Sequence, residues 1–223
     1  RSSGGIVLQV EDLQFHIDPG PGSVSQAKEC GVNIRATTAI LVSTNKITYC
    51  NDVNAVIEAM TLAGLDKKGI TISAKSVVLG TEAKAGYLTP YHQSLLERVI
   101  CLEQGNRVGI ELIEVHALSL EAEDPLAVGF KLYCPRFTLG YVPETKYSKK
   151  LGEELQGCDI LILTVPVAEN KENLRVLDKV TASKIIQKVK PRLAVITHFG
   201  FDMIRADPLL IARDIQQETG VQT

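Results

Sequence analysis

Apolar positions along the chain repeat with two periods, and the switches between them mark out its elements. Ile6 to Val10 and Leu13 to Ile17 are rich in β-branched and aromatic residues and flank Glu11-Asp12, which predicts two short strands in a hairpin-like start. Asp18-Pro19-Gly20-Pro21-Gly22 then ends the strand, because proline lacks the N–H that a ladder needs and glycine permits a turn. Ala39 to Val42 is a short apolar run suited to a buried strand, and it delivers Thr44 to Tyr49 at its end. Val53, Val56, Ile57 and Met60 follow at i, i+3, i+4 and i+7, one face of a helix that Asn51 or Asp52 caps and Gly64 stops.

Strand character returns at Ile70 to Ile72, Val77 to Leu79, Val108 to Val115, Val128 to Tyr133 and Phe137 to Val142, whereas the segment leading to Tyr91 has no clear period. Asp159 to Val165 is almost continuously apolar, as in a strand covered on both faces. A helix is predicted from Thr181 to just before Pro191, burying Ile185, Ile186 and Val189, and Asp207-Pro208 opens another that Gly220 ends. Strands with intervening helices give an α/β or α+β class. No repeat, low-complexity tract or linker divides the 223 residues, so they read as a single domain, 1–223.

Composition narrows the function only a little. A chain with 45% hydrophobic and 22% charged residues is an ordinary globular protein. With 24 Lys+Arg against 26 Asp+Glu, a net charge of -2 gives no overall field that supports nucleic-acid binding, and a local basic patch stays open. Cys30, Cys50, Cys101, Cys134 and Cys158 are odd in number and widely spaced without a Cys-x-x-Cys pair, so reduced, buried thiols are expected. No apolar run approaches the ~20 residues of a membrane span, and the first residues are not a basic, apolar leader. A cytoplasmic location and no membrane partner are the resulting expectations.

The chemistry centres on Ser43-Thr44-Asn45-Lys46-Ile47-Thr48-Tyr49-Cys50-Asn51-Asp52, with Phe15-His16-Ile17-Asp18-Pro19-Gly20 upstream and Leu193-Ala194-Val195-Ile196-Thr197-His198-Phe199-Gly200 far downstream. This framing resembles the metallo-β-lactamase superfamily, whose first core strand leads into a Ser/Thr-His-x-His-x-Asp-His loop. The continuation typical of the nearest relatives is kept as Asn51-Asp52-Val53-Asn54 and Ile57-Glu58-Ala59-Met60-Thr61. The resemblance implies a four-layer αββα sandwich and, ahead of the strand at Ile6, a first strand that this chain, which opens on Arg1 without Met, would lack. It also places the family's His, His, Asp and His at Thr44, Lys46, Thr48 and Tyr49, so all four ligand positions are replaced. The next histidine would fall near Ala122 or Glu123, Glu144 stands for the bridging aspartate, and Lys179 stands for a substrate-side histidine. His198 alone keeps its expected identity.

Zinc takes imidazole, thiolate or carboxylate, and a catalytic site usually has three such ligands plus water. Of the aligned positions only His198 and Glu144 qualify, so a normal dinuclear site is not expected and no cofactor is implied. His16 in its strand reads as structural, His92 at a helix start as a surface residue, and His116 at a strand end as a weaker ligand candidate. The Asp18 to Gly22 turn lacks the Gly-Lys-Ser/Thr ending of a phosphate loop and reads as a shaping element. If Lys46 points inward, its ammonium would take part of the former metal volume and pair with Glu144; the rival reading is a solvated lysine.

The leading expectation is therefore a non-catalytic or altered member of the superfamily. Its inherited pocket, lined by Thr44, Lys46, Thr48, Tyr49, Glu144, Lys179 and His198, would bind a small molecule or partner, and the two lysines would favour an anion. The alternative is a metal-dependent hydrolase of esters or phosphodiesters with a rearranged mononuclear zinc, manganese or iron site built on His198, Glu144 and His116. A third is that the chain is one subunit of a homo- or hetero-oligomer whose partner carries the chemistry.

Overall fold

A computed structural model describes residues 5–223, and these fall into two compact units, one reaching to Glu103 and the other running from Gln104 to Thr223. The first unit contains, in order, β1 (Ile6–Val10), β2 (Leu13–Ile17), α1 (Ser23–Glu29), β3 (Thr37–Val42), α2 (Ile47–Cys50), α3 (Val53–Thr61), β4 (Ile70–Ala74), α4 (Lys75–Leu79), α5 (Pro90–Ser94) and β5 (Arg98–Leu102). Its sheet has the order β1-β2-β3-β4-β5, with β1 and β2 antiparallel and every later pair parallel. Register places Phe15 beside Ala39 and Leu41 beside Ile72, and all four side chains are fully buried. Val53, Val56, Ile57 and Met60 of α3 are also fully buried, the stripe that the helical period predicts.

The second unit contains β6 (Arg107–Ile110), β7 (Ile113–Leu118), β8 (Gly129–Tyr133), β9 (Thr138–Val142), α6 (Lys149–Glu154), β10 (Ile160–Thr164), α7 (Lys179–Val189), β11 (Leu193–Thr197), α8 (Phe201–Arg205) and α9 (Pro208–Thr219). Its sheet runs β11-β10-β9-β8-β7-β6, antiparallel from β6 to β9 and parallel from β9 to β11. Leu161 and Leu163 of β10, Val165 just beyond it and Ala194 of β11 pack with Leu151 and Leu155, Ile185 and Ile186, and Ile215, so the helices α6, α7 and α9 cover that face. The expected mixed α/β class with two sheets and their helices is present. The expected strand ahead of Ile6 lies outside the described residues.

Three local expectations need correction. Val77 to Leu79 is not a strand but the end of α4, because an apolar run of three carries no period; Gly80, at φ 77°, stops the helix where a Cβ would lie 2.4 Å from the Lys84 carbonyl. Val108 to Val115 is not one strand but the β6–β7 hairpin: Ile110 faces Ile113, and Glu111 turns the chain at φ 52°. α7 begins at Lys179 rather than Thr181, since the Asp178 carboxylate accepts from the Thr181 N–H and the Thr181 hydroxyl accepts from the Asp178 N–H. The short elements α1, β5, α6 and α8 had no counterpart in the pattern.

The consequence for function is directional. Open parallel sheets bind ligands outside the carboxyl ends of their strands. In the first unit those ends open into the segments after Ile17 and Val42, and in the second into the segments after Val142, Thr164 and Thr197.

Thr71 and Ser73 on β4 are fully buried, and among the described residues their hydroxyls have no hydrogen-bond partner. Thr71→Val is expected to leave urea stability unchanged or raise it by about 1 kcal/mol, since it removes a desolvated, unsatisfied hydroxyl. A loss of that size would show that the hydroxyl is partnered.

Candidate functional site

In the first unit the segment after β3 is tied to the segment after β2 by one buried carboxylate. Asp18, at φ 48°, donates its N–H to the Leu41 carbonyl at 2.8 Å. Its side chain accepts from the Ser43 N–H at 2.6 Å and from the Ser43 hydroxyl at 2.6 Å. These are short, charge-assisted bonds, and Asp tolerates the left-handed backbone that makes them. Next door, the Asp52 N–H donates to the Pro19 carbonyl at 2.8 Å, which fixes where α3 begins.

A second set of bonds ties the same loop to residues 85–87. Asn45 donates to the Ala85 carbonyl at 3.0 Å and Asn54 to the Tyr87 carbonyl at 2.9 Å. The Tyr87 hydroxyl donates to Asn51 Oδ1 at 2.9 Å, and Asn51 Nδ2 donates to Asp52 Oδ1 at 2.7 Å. Burial, reinforced by negative charge at Cys50 and Asp52, pushes the Tyr87 phenol up, which keeps the donor proton in place.

Within this frame Thr44 and Tyr49 are buried, Lys46 and Thr48 half-buried, and Ile47 of α2 exposed. Two hydroxyls, an ammonium and a phenol are poor zinc ligands, and the nearby carboxylate of Asp18 is held by Ser43. Among the described residues no three His, Cys, Asp or Glu side chains group in a way that could hold a metal ion. The donor set does not fit the family's dinuclear centre.

In the second unit Glu144 follows β9 and His198 follows β11, with β10 between those strands, and both side chains are half-buried. His198 sits at φ 61°. Ala122, near which the family's next histidine would fall, is packed into the apolar core, and its carbonyl accepts from Arg175 at 2.8 Å. Neighbouring Glu121 is bonded to the segment after β9, its N–H to Thr145 Oγ1 at 2.9 Å and its carbonyl to the Lys146 N–H at 3.2 Å.

Lys179 is placed differently from a substrate-side residue. Its ammonium lies 2.9 Å from Asp214 Oδ2 and 2.9 Å from Glu218 Oε1, joining α7 to α9. Hydrogen bonds to Glu218 and Asp214 raise its pKa, and the bond from Lys179, followed by that from Ser183, holds the Glu218 carboxyl below its ordinary value.

The other histidines are equally local. His16 is buried in β2 opposite Ile40, and His92 lies 3.3 Å from Glu58 with its Nδ1 2.6 Å from the Thr89 hydroxyl. The His116 ring lies 4.6 Å from that of Tyr133, tilted by 53°, with Nε2 2.8 Å from Glu114. It is level with Gly140, two strands away through Lys131, and Glu144 lies four residues beyond Gly140. By strand geometry that is roughly 13 Å along and about 10 Å across, too far for the two to share a metal. The sequence reading missed Asp18, Asn45, Asn51 and Tyr87 as loop-holding residues; the Asp-Pro-Gly turn was the one visible signal for Asp18.

Residues 14–199 match the model of the Beta-lactamase superfamily domain, and the chain belongs to that superfamily. It is 28% identical over 227 residues to the uncharacterized protein MJ1374 of Methanocaldococcus jannaschii, covering 100% of this chain and 84% of that one. The fold is similar to that of the metallo-beta-lactamase fold protein YhfI from Bacillus subtilis, with TM-score 0.82 and 11% identity over 99% of this chain and 87% of the other. Zinc-bound PqqB from Methylobacterium extorquens gives TM-score 0.72 and 10% identity, covering 96% and 82%. A diphosphatase of the PhnP family gives TM-score 0.69 and 14% identity, covering 88% and 72%.

Asp18→Ala is expected to cost about 3 kcal/mol in urea unfolding, because it removes two charge-assisted bonds and leaves the buried Ser43 N–H unsatisfied; Ser43→Ala should cost about 1 kcal/mol. Lys179→Met should lower the melting temperature at pH 7. The lowered Glu218 pKa makes its contribution present above the ordinary 4.5 and lost as pH falls through the folded value, so wild type and variant should converge as the pH falls below 4.5. Convergence should also set in above 10.5, as Lys179 loses its proton.

Proposed function

We propose that this member of the superfamily uses the inherited scaffold to bind a small ligand or a partner and does not run the metal-activated hydrolysis of its relatives. The observation that carries this reading is the loop after β3. Its four family ligand positions hold Thr44, Lys46, Thr48 and Tyr49, and the segment is held in place by Asp18, Asn45 and Asn51. The family's nucleophile is a water whose pKa a metal lowers to about 7, and no such group is generated by hydroxyls and an ammonium. The preference for an anion comes from the two lysines of the inherited pocket, Lys46 and Lys179, and Lys179 adds little to it because Asp214 and Glu218 meet its charge. Half-buried Glu144 and His198 are the ligand-facing candidates of the second unit.

A cytoplasmic location is part of the same reading. All five cysteines are free, and burial pushes Cys134 and Cys158 up to about 11, which suits inert thiols in a reducing compartment. No described helix is long and apolar enough to cross a membrane. Homo- or hetero-oligomer formation stays open within this proposal.

One observation favours a second reading: Glu144 and His198 leave the carboxyl ends of strands that flank β10, and a carboxylate and an imidazole are metal ligands. A mononuclear zinc, manganese or iron hydrolase of esters or phosphodiesters would use that pair.

Elemental analysis separates the two. Untagged protein incubated with zinc, manganese or iron and then desalted is expected to retain less than about 0.1 metal per chain, because two ligands rarely hold a metal against dilution. Near-stoichiometric retention that His198→Ala abolishes would establish the hydrolase reading instead.

A further inference from the structure

On α5 of the first unit, His92 is held between two oxygen-bearing side chains. Its Nδ1 lies 2.6 Å from the Thr89 hydroxyl and its Nε2 3.3 Å from Glu58 Oε1. What each group can donate sets the direction of these bonds. A carboxylate only accepts, so in the neutral ring the proton sits on Nε2, Nδ1 presents its lone pair, and the Thr89 hydroxyl donates to it. The same hydroxyl accepts from the His92 N–H at 3.3 Å and so caps α5. Capping asks only for an acceptor; the short bond to Nδ1 commits the hydroxyl proton to a base as well. The backbone that carries the three residues is firmly held. Glu58 stands on α3 between the buried Ile57 and Met60, Pro90 opens α5, and the Gln93 N–H donates to the Thr89 carbonyl at 3.0 Å. The Gln93 side chain donates to the carbonyl of buried Leu88 at 3.0 Å, and the Tyr91 ring meets the imidazole edge-on at 5.0 Å. Thr89, His92 and Glu58 are all half-buried, which leaves the group within reach of solvent.

We propose that Thr89 is a nucleophile for acyl transfer, with His92 as its general base and Glu58 as the residue that positions the ring. A hydroxyl bonded to a base that a third group orients is the arrangement this chemistry requires. Thr89 Oγ1 attacks the carbonyl carbon of an ester while its proton passes to Nδ1, and the Glu58 carboxylate meets the resulting imidazolium through Nε2–H. The C–O bond to the leaving alcohol then breaks, and Nδ1 returns the proton to that oxygen. Water deprotonated by the same nitrogen attacks the acyl-Thr89 ester, releasing the acid and restoring the hydroxyl. The three side chains supply deprotonation and no oxyanion donor, so the substrate class is an activated acyl donor, such as an aryl ester, whose leaving group needs little help. None of the three belongs to the positions of the inherited pocket, so this activity stands apart from ligand binding there.

The test treats the intact, chelated chain with p-nitrophenyl acetate, follows release of p-nitrophenolate and maps the acetyl group by peptide mass spectrometry. The expected result is a burst of about one p-nitrophenolate per chain, with the acetyl group on Thr89. Thr89→Asn keeps a capping oxygen, so it should lose the burst at an unchanged melting temperature, whereas Thr89→Ser should keep both. His92→Gln should slow the burst by about a hundredfold or more. Glu58→Gln should slow it too and let the imidazole proton redistribute toward Nδ1, read from the ring nitrogen chemical shifts. No burst, acetyl confined to cysteines or lysines, or a burst that survives Thr89→Asn or His92→Gln would overturn the proposal. Release that appears only when zinc is restored, and that His198→Ala abolishes, would overturn it in favour of the metal-dependent hydrolase. A ring tautomer and rate unmoved by Glu58→Gln would overturn the role of Glu58.

Discussion

A carboxylate placed where water cannot reach it must be met by donors, and Ser43 meets Asp18 with both its N–H and its hydroxyl at 2.6 Å. The pairing fixes the ends of two parallel strands against one another and so determines how the segment from Ser43 to Asp52 leaves the sheet. The later bonds depend on that departure: Asp52 to Pro19, Asn45 to Ala85, and Asn51 and Asn54 to the Tyr87 segment. Here the order comes from side-chain amides and carboxylates bonded to main chain.

In the second unit packing and charge pairing hold the corresponding expected positions. Ala122 contributes to the core, and its carbonyl is held by Arg175. Lys179 joins α7 to α9 through two carboxylates, a stabilising role that leaves its charge largely screened from a ligand. His198 and Glu144 stand half-buried just beyond the strand ends.

Much of the fold was legible because burial leaves a period. The α3 stripe from Val53 to Met60 and the apolar run of β10 were readable for that reason, and the superfamily framing placed Ser43 and His198 at strand ends. What escaped was of two kinds. Short elements such as α4 and the β6–β7 hairpin carry too few residues for a period, and Glu111 shows that a turn can use a non-glycine residue at positive φ. The loop network escaped because its partners are far apart in sequence: Asp18 with Ser43, Asn45 with Ala85, Asn51 with Tyr87. Nothing in the residue type of an asparagine announces which carbonyl it will reach. The partners of Lys179 likewise lie far along the chain in α9, so nothing in the sequence pointed to its ion pairs.

The central claim is that the loop after β3 is ordered by protein hydrogen bonds and needs no metal. Thermal unfolding of the intact chain, measured after exhaustive chelation and again in excess zinc, tests it most directly, because a group bound only to the folded state raises stability by about 2.7 kcal/mol at a hundred times its dissociation constant. The account predicts coincident transitions under the two conditions. A melting temperature that falls by several degrees on chelation and returns with zinc would contradict it.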